Sequence, residues 1–167
     1  MRKVMIVFGA ALLLALSIDV VAVASPTTVA VRGGERFVPN ALIQSTFRFS
    51  PGPINVTQGQ TVTWVDEDQA AFEPHTVTIV DQSDLPTTVE EVFECQVCGE
   101  AIDAHISGNT QVVNEGGPGL DTPGDSLLFA FDADHPSISA EVTAPAGTTL
   151  FYLCAIHPWM QGSITVG

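Results

Sequence analysis

The sequence predicts an all-β sandwich with one long insertion, on three observations. Apolar residues alternate with polar ones in short runs that recur at intervals of about 8–12 residues, bounded by Pro, Gly or Asp. The rhythm stops over residues 81–136 and then returns. Near the C-terminus, FYLCAIHPWMQGSITV (151–166) sets Cys154, His157 and Met160 three residues apart between two strand-like runs. At 167 residues the chain has room for one ordinary domain with a real core.

Each element follows from the pattern. Arg2 and Lys3 precede an apolar run from Val4 to Leu16, and Ala22-Val23-Ala24 offers the small-x-small pattern of a signal-peptidase site. Residues 1–24 are therefore read as an export signal, with an uncleaved anchor as the alternative. The run is short for a membrane span, and no span is expected once it is removed. Residues 25–45 mix Pro, Gly and polar residues, as a leader or a first irregular strand would. From Thr46 the alternation is regular, and 46–167 is taken as the sandwich domain. Phe47 and Phe49, Ile54 and Val56, Val62 and Trp64, and Val77 and Ile79 mark successive strands, with Gln58-Gly59-Gln60 as a turn. Ile138–Val142, Thr148–Leu153 and Gly162–Val166 continue the pattern, with Pro145-Ala146-Gly147 as a turn. Trp64 is expected in the core, and Phe151 and Tyr152 on opposite faces of their strand.

Within the insertion, Thr87-x-x-Glu90 has the spacing of a capping box and predicts a short helix running to Phe93 or Cys95. NEGGPGLDTPGDS (114–126) reads as loop. An insertion this long calls for local order or a function of its own.

The formal charge is −14. Removing Arg2, Lys3 and Asp19 with the leader leaves three basic residues (Arg32, Arg36, Arg48) against 18 acidic ones, a net −15. Such a surface repels nucleic acid and anionic lipid and attracts cationic partners; solubility is the alternative reason for it.

Three cysteines is an odd number for an exported protein. A leftover thiol outside the cell is open to oxidation unless it is buried or coordinated, and this favours a metal for Cys154. His75, in Pro74-His75-Thr76-Val77, is the other strand-borne histidine of the first half. One thiolate, two imidazoles and a weak thioether form a soft donor set that selects copper. A tight turn stiffened by Pro158 would bring His157 and Met160 back to the point where Cys154 ends its strand.

Cys95-x-x-Cys98, with His105 seven residues on, is a second cluster. It is read as a disulfide bracing the insertion. A second metal, held with His105 and with His135 or Asp103, and a redox-active dithiol are the alternatives.

FRFSPGPINVTQGQTVTWVDED, PHTVTIV and TLFYLCAIHPWMQGSITV resemble the small blue-copper proteins, the cupredoxins, and the short Cys-x-x-His-x-x-Met loop is most similar to their plastocyanin and amicyanin branch. The match covers about 46–80 and 137–166. It implies a Greek-key β-sandwich holding one type 1 copper on His75, Cys154, His157 and Met160. It also implies a one-electron carrier, not an enzyme, with electrons passing through the ring edge of His157 and an apolar patch at Pro158 and Trp159. The expected partners are redox proteins, cationic and cytochrome-like, and the expected location is periplasmic, extracellular or at the cell surface. A copper-delivery protein, with the metal as cargo, is the alternative. Two departures stand out. Many family members have Asn after the first histidine, where this chain has Thr76, and the insertion 81–136 is far longer than a minimal member needs.

Overall fold

A computed structural model describes residues 27–67 and 73–167; the predicted signal segment lies outside the described residues. Among the described residues, twelve strands and two α-helices follow one another. The first six strands are β1 (Thr27–Arg32), β2 (Glu35–Val38), β3 (Leu42–Ser45), β4 (Arg48–Ser50), β5 (Pro53–Val56) and β6 (Thr61–Asp66). Next come β7 (His75–Val80), α1 (Val89–Phe93), α2 (Gln96–Gly108), β8 (Val112–Val113) and β9 (Ser126–Phe129). β10 (Ser137–Glu141), β11 (Thr149–Leu153) and β12 (Gln161–Val166) complete the chain.

Two sheets form the sandwich. One runs β10-β6-β1-β4, the other β5-β12-β11-β7-β9-β8, and β2 with β3 makes a separate hairpin. The chain crosses between the two main sheets after β4, β5, β6, β9 and β10, which interleaves their strands in a Greek-key manner. The sheets are mostly antiparallel, but β1 pairs with β6, and β5 with β12, in parallel. Crossing to the other sheet and back supplies the long connection that parallel neighbours require.

The alternation decides what is buried. In β6, Val62 and Trp64 point into the core, and Ile54 and Val56 do so from β5. Trp64 is fully buried and meets the ring of Tyr152 edge-on, with centroids 6.0 Å apart. Tyr152 is the inward member of the pair in β11, and its hydroxyl donates to the Gly52 carbonyl at 3.0 Å. Val29 and Val31 of β1 lie in the same core, so the sandwich begins by Thr27 and residue 46 is no boundary.

The insertion is more ordered than its composition suggested. The capping box is one residue later than expected, with Thr88 and Glu91 as its two members. Both candidate boxes have the right spacing, and only Thr88 is followed by helical backbone. α2, thirteen residues long, was not legible as a helix, because Gly99 and a buried stripe of only Cys98, Ala101 and the polar His105 give it a weak signature. It ends at Asn109 in the left-handed conformation, φ 47°. β8 and β9 also lie inside the insertion, and β9 extends the sheet beside β7. The Gly/Pro-rich loop is pinned from within: the buried Asp125 carboxylate accepts the backbone N–H groups of Glu115, Asp121 and Thr122 at 3.1, 2.9 and 3.1 Å.

Gly162 stands directly opposite Tyr152 in the β11–β12 ladder. A Cβ there would overlap the Tyr152 phenol and the Gly52 carbonyl oxygen. Gly162→Ala is expected to lower unfolding free energy by about 1–3 kcal/mol, the usual cost of overpacking, read from a urea titration as an earlier midpoint at unchanged slope.

Candidate metal centre

His75 is the first residue of β7, and Cys154 follows the last residue of β11, its neighbour in the sheet. The turn from β11 to β12 is closed by its own backbone. Cys154 N–H donates to the Met160 carbonyl at 2.9 Å, His157 N–H to that of Cys154 at 3.1 Å, and Met160 N–H to that of His157 at 2.8 Å. Three bonds in seven residues fix where Cys154, His157 and Met160 emerge.

The donors converge. Cys154 Sγ lies 3.8 Å from His75 Nδ1 and 3.7 Å from His157 Nδ1, and one donor atom from each of the three residues falls within 4.8 Å of the other two. All three residues are buried, and Met160 is fully so. The imidazole rings are 5.0 Å apart, and Phe47 packs at 5.3 Å from each of them. Phe129 of β9 lies 5.9 Å from His75, and Trp159, partly exposed, stands edge-on to His157 at 5.3 Å. The outer nitrogen of His157, Nε2, faces Glu73 Oε2 at 3.5 Å.

Burial sets the protonation states. It holds His75 down to about 4, helped by the neighbouring His157. It also lowers His157, opposed by the charge of Glu35. Burial pushes the Cys154 thiol up, against the backbone N–H groups of Thr76, His157 and Ile156, which favour the thiolate. Two neutral imidazoles beside one thiol are ready to receive a cation.

The residues fit a copper ion. His75 Nε2 is buried with no hydrogen-bond partner, and its Nδ1 has only the thiol for company. A metal at Nδ1 would supply the strong partner that this nitrogen, facing only a thiol at 3.8 Å, lacks. Soft sulfur with two imidazoles is the donor set of a type 1 copper centre.

Thr76, the departure from the family's usual Asn, ties the two ligand segments together. Its N–H donates to Cys154 Sγ at 3.3 Å, and its hydroxyl accepts the Ala155 N–H at 2.7 Å.

The second cluster resolves differently. Cys95 and Cys98 form a disulfide at the start of α2. His105 is buried, and its ring nitrogens meet the Thr110 carbonyl at 3.0 Å and Ser126 Oγ at 2.8 Å, so it joins no metal cluster with them. His135 is half-buried and paired with Asp132 at 2.6 Å, and Asp103 is exposed. Phe47, Phe129 and Glu73 were not singled out as part of the site; only the proximity of Glu73 to His75 in sequence hinted at one of them.

No family model matches the chain, and no curated protein does either. Solved structures do overlay on it. A mutant plastocyanin of a fern is 23% identical over 84% of this chain and 100% of its own, with a TM-score of 0.43. Auracyanin from Roseiflexus castenholzii is 22% identical over 86% and 98%, at 0.44. A purple cupredoxin from Nitrosopumilus maritimus is 19% identical over 84% and 99%, at 0.41. These are loose overlays, so the donors are judged on their own chemistry. On that ground the resemblance drawn from the sequence holds: a cupredoxin-like sandwich with His75, Cys154 and His157 gathered and Met160 buried in the same core, suited to one type 1 copper.

In the metal-free protein, His75 binds a proton more weakly folded than unfolded. Stability is therefore full above pH 6.5 and falls as the pH drops from 6.5 towards 4. The loss expected from this group by pH 4 is about 3 kcal/mol, measured by urea unfolding at successive pH values, and His75→Phe should flatten that part of the profile.

Proposed function

We propose that the protein is an exported one-electron carrier that binds one copper on His75, Cys154, His157 and Met160. The observation that carries this is the convergence of His75 Nδ1 and His157 Nδ1 on Cys154 Sγ inside a buried pocket. Copper, when bound, supplies the one-electron chemistry. The chain's contribution is rigidity and exclusion of water. A turn closed by three backbone hydrogen bonds, walled by Phe47 and Phe129, has little freedom to rearrange with a change of charge. An enzyme working at the metal would need an open coordination position, and four protein donors in a dry site argue against one. The same enclosure argues against copper as cargo, for which exposed ligands would serve better.

The entry and exit route for electrons is assigned to His157, whose ring reaches from Cys154 to Trp159 and Glu73 near the surface. The net charge of −14 favours a cationic redox protein as partner, docking around Trp159. Export is supported by the leader-like segment and by the Cys95–Cys98 disulfide, which persists in oxidising compartments. Among the described residues no helix is long and apolar enough to cross a membrane.

One equivalent of Cu(II) added to the mature protein is expected to give an intense thiolate-to-copper band in the visible, lost in Cys154→Ser. Elemental analysis should find one copper per chain. A colourless parent that still binds copper would replace the carrier by a delivery role, and one that binds none would remove the copper assignment.

A further inference from the structure

A continuous hydrogen-bond chain runs from the Cys154 loop into the insertion. Ala155 N–H donates to Thr76 Oγ1 at 2.7 Å, and Thr76 Oγ1 lies 3.0 Å from Thr78 Oγ1. Thr78 Oγ1 is 2.8 Å from Ser126 Oγ, which is 2.8 Å from His105 Nε2. His105 Nδ1 ends the chain on the Thr110 carbonyl at 3.0 Å. Thr76, Thr78, Ser126 and His105 are all buried, so water does not supply alternative partners cheaply.

The far end fixes the direction. A carbonyl only accepts, so His105 Nδ1 carries a proton, and in the neutral ring Nε2 then accepts. Ser126 gives its one proton to Nε2 and must accept from Thr78. Thr78 must in turn accept from Thr76. The Thr76 proton therefore points along the chain, and its lone pairs receive the Ala155 N–H. Turned this way, the hydroxyl does not donate to Cys154 Sγ, although its oxygen sits on the amide that follows the cysteine, 2.7 Å from Ala155 N.

We propose that His105 is a positioning residue for the copper site: as terminal acceptor it keeps the Thr76 hydroxyl proton turned away from Cys154 Sγ, leaving the Thr76 N–H as that residue's sole donor to the sulfur. This rests on the copper assignment of Cys154 made above. Without the acceptor, the hydroxyls of Thr78 and Thr76 are free to reverse, and the Thr76 O–H can turn to the sulfur. A hydrogen bond to the sulfur draws electron density from the thiolate, which favours the reduced metal and raises the potential. The insertion thereby sets a property of a site it does not line with a ligand. α2 also packs Cys98 and Ala101 near Leu153 and Ala155, so a packing effect has to be separated from the hydroxyl effect.

A double-mutant cycle on the copper-loaded protein makes that separation. His105→Leu should shift electron partition against a reference couple towards the reduced protein by roughly three- to tenfold, tenfold being about 59 mV for one electron. His105→Gln, which retains an acceptor at that reach, should restore the parent value. In a Thr76→Val background, His105→Leu should change nothing. A shift that persists without the Thr76 hydroxyl, or no shift in the parent background, overturns the proposal. If His105→Leu does not fold, Ser126→Ala breaks the same chain and is read by the same cycle. Nitrogen NMR of the metal-free protein should find His105 as the Nδ1–H tautomer. The other tautomer beside a normal thiolate band overturns this proposal alone. The expected tautomer with no thiolate band in any variant overturns the copper assignment, and the proposal with it.

Discussion

The site depends on one contact, the Thr76 N–H directed at Cys154 Sγ. It joins the strand that carries the first histidine to the turn that carries the other three donors. Without a donor facing it, a fully buried thiol is held strongly in its neutral form, and a metal would have to displace that proton against the full cost of burial. The N–H of Thr76, with those of Ile156 and His157, lowers that cost by favouring the thiolate. The same residue's hydroxyl accepts the Ala155 N–H, so the backbone on both sides of the sulfur is registered to β7. Position and protonation of the cysteine are thus set by the same few atoms.

That arrangement requires β7 to be buried on both faces. His75, Val77 and Ile79 alternate with Thr76, Thr78 and Val80, and all six are buried. In an open sandwich the threonine face would be wet. Here α2 covers it and β9 flanks it in the sheet: Val80 packs with Cys98 and Ala101, and Thr78 bonds to Ser126. Covering hydroxyls with an apolar helix would be costly without partners, and the chain of acceptors that ends on His105 meets that requirement. The insertion therefore forms the outer wall of the ligand strand, and a polar wall needs an acceptor at its end. His105 is the one ionisable residue that α2 turns inward.

The sandwich was legible because its strands are half-buried and alternate cleanly, as with Ile54 and Val56 or Val62 and Trp64. The donors were legible because Cys154, His157 and Met160 lie within one turn, where sequence spacing stands in for distance. His75 was legible only as the other strand-borne histidine of the first half, since a separation of 79 positions from Cys154 says nothing about proximity. The insertion was legible only in part. α1 showed through its capping spacing, off by one residue. α2 did not, because a helix packed on a strand by Cys98, Ala101 and His105 hides its face among small and polar residues. β9 was missed because it follows a Gly/Pro-rich loop whose order comes from one buried carboxylate, Asp125, bonded to three backbone N–H groups that precede it. The tie from Thr76 to His105 was beyond sequence reasoning, as it joins three segments through single hydroxyls.

The disulfide gains a meaning from this arrangement. Cys95 caps the start of α2 and Cys98 lies one turn in, within the cluster that includes Leu153 and Ala155. A bridge closing so short a loop removes little entropy from the unfolded chain. Its effect is local: it fixes the first turn of the helix against the residues flanking Cys154. His105 lies two turns further along the same helix, so a rigid start carries over to the position of its ring. Hydrogen bonds near 2.8 Å tolerate little displacement, and a relay of four of them tolerates less. A helix free to slide would leave Thr76 with either orientation, and the sulfur with an undefined neighbour. The covalent brace, the apolar packing and the hydroxyl chain all restrict that same freedom, from the far end of the insertion to the cysteine.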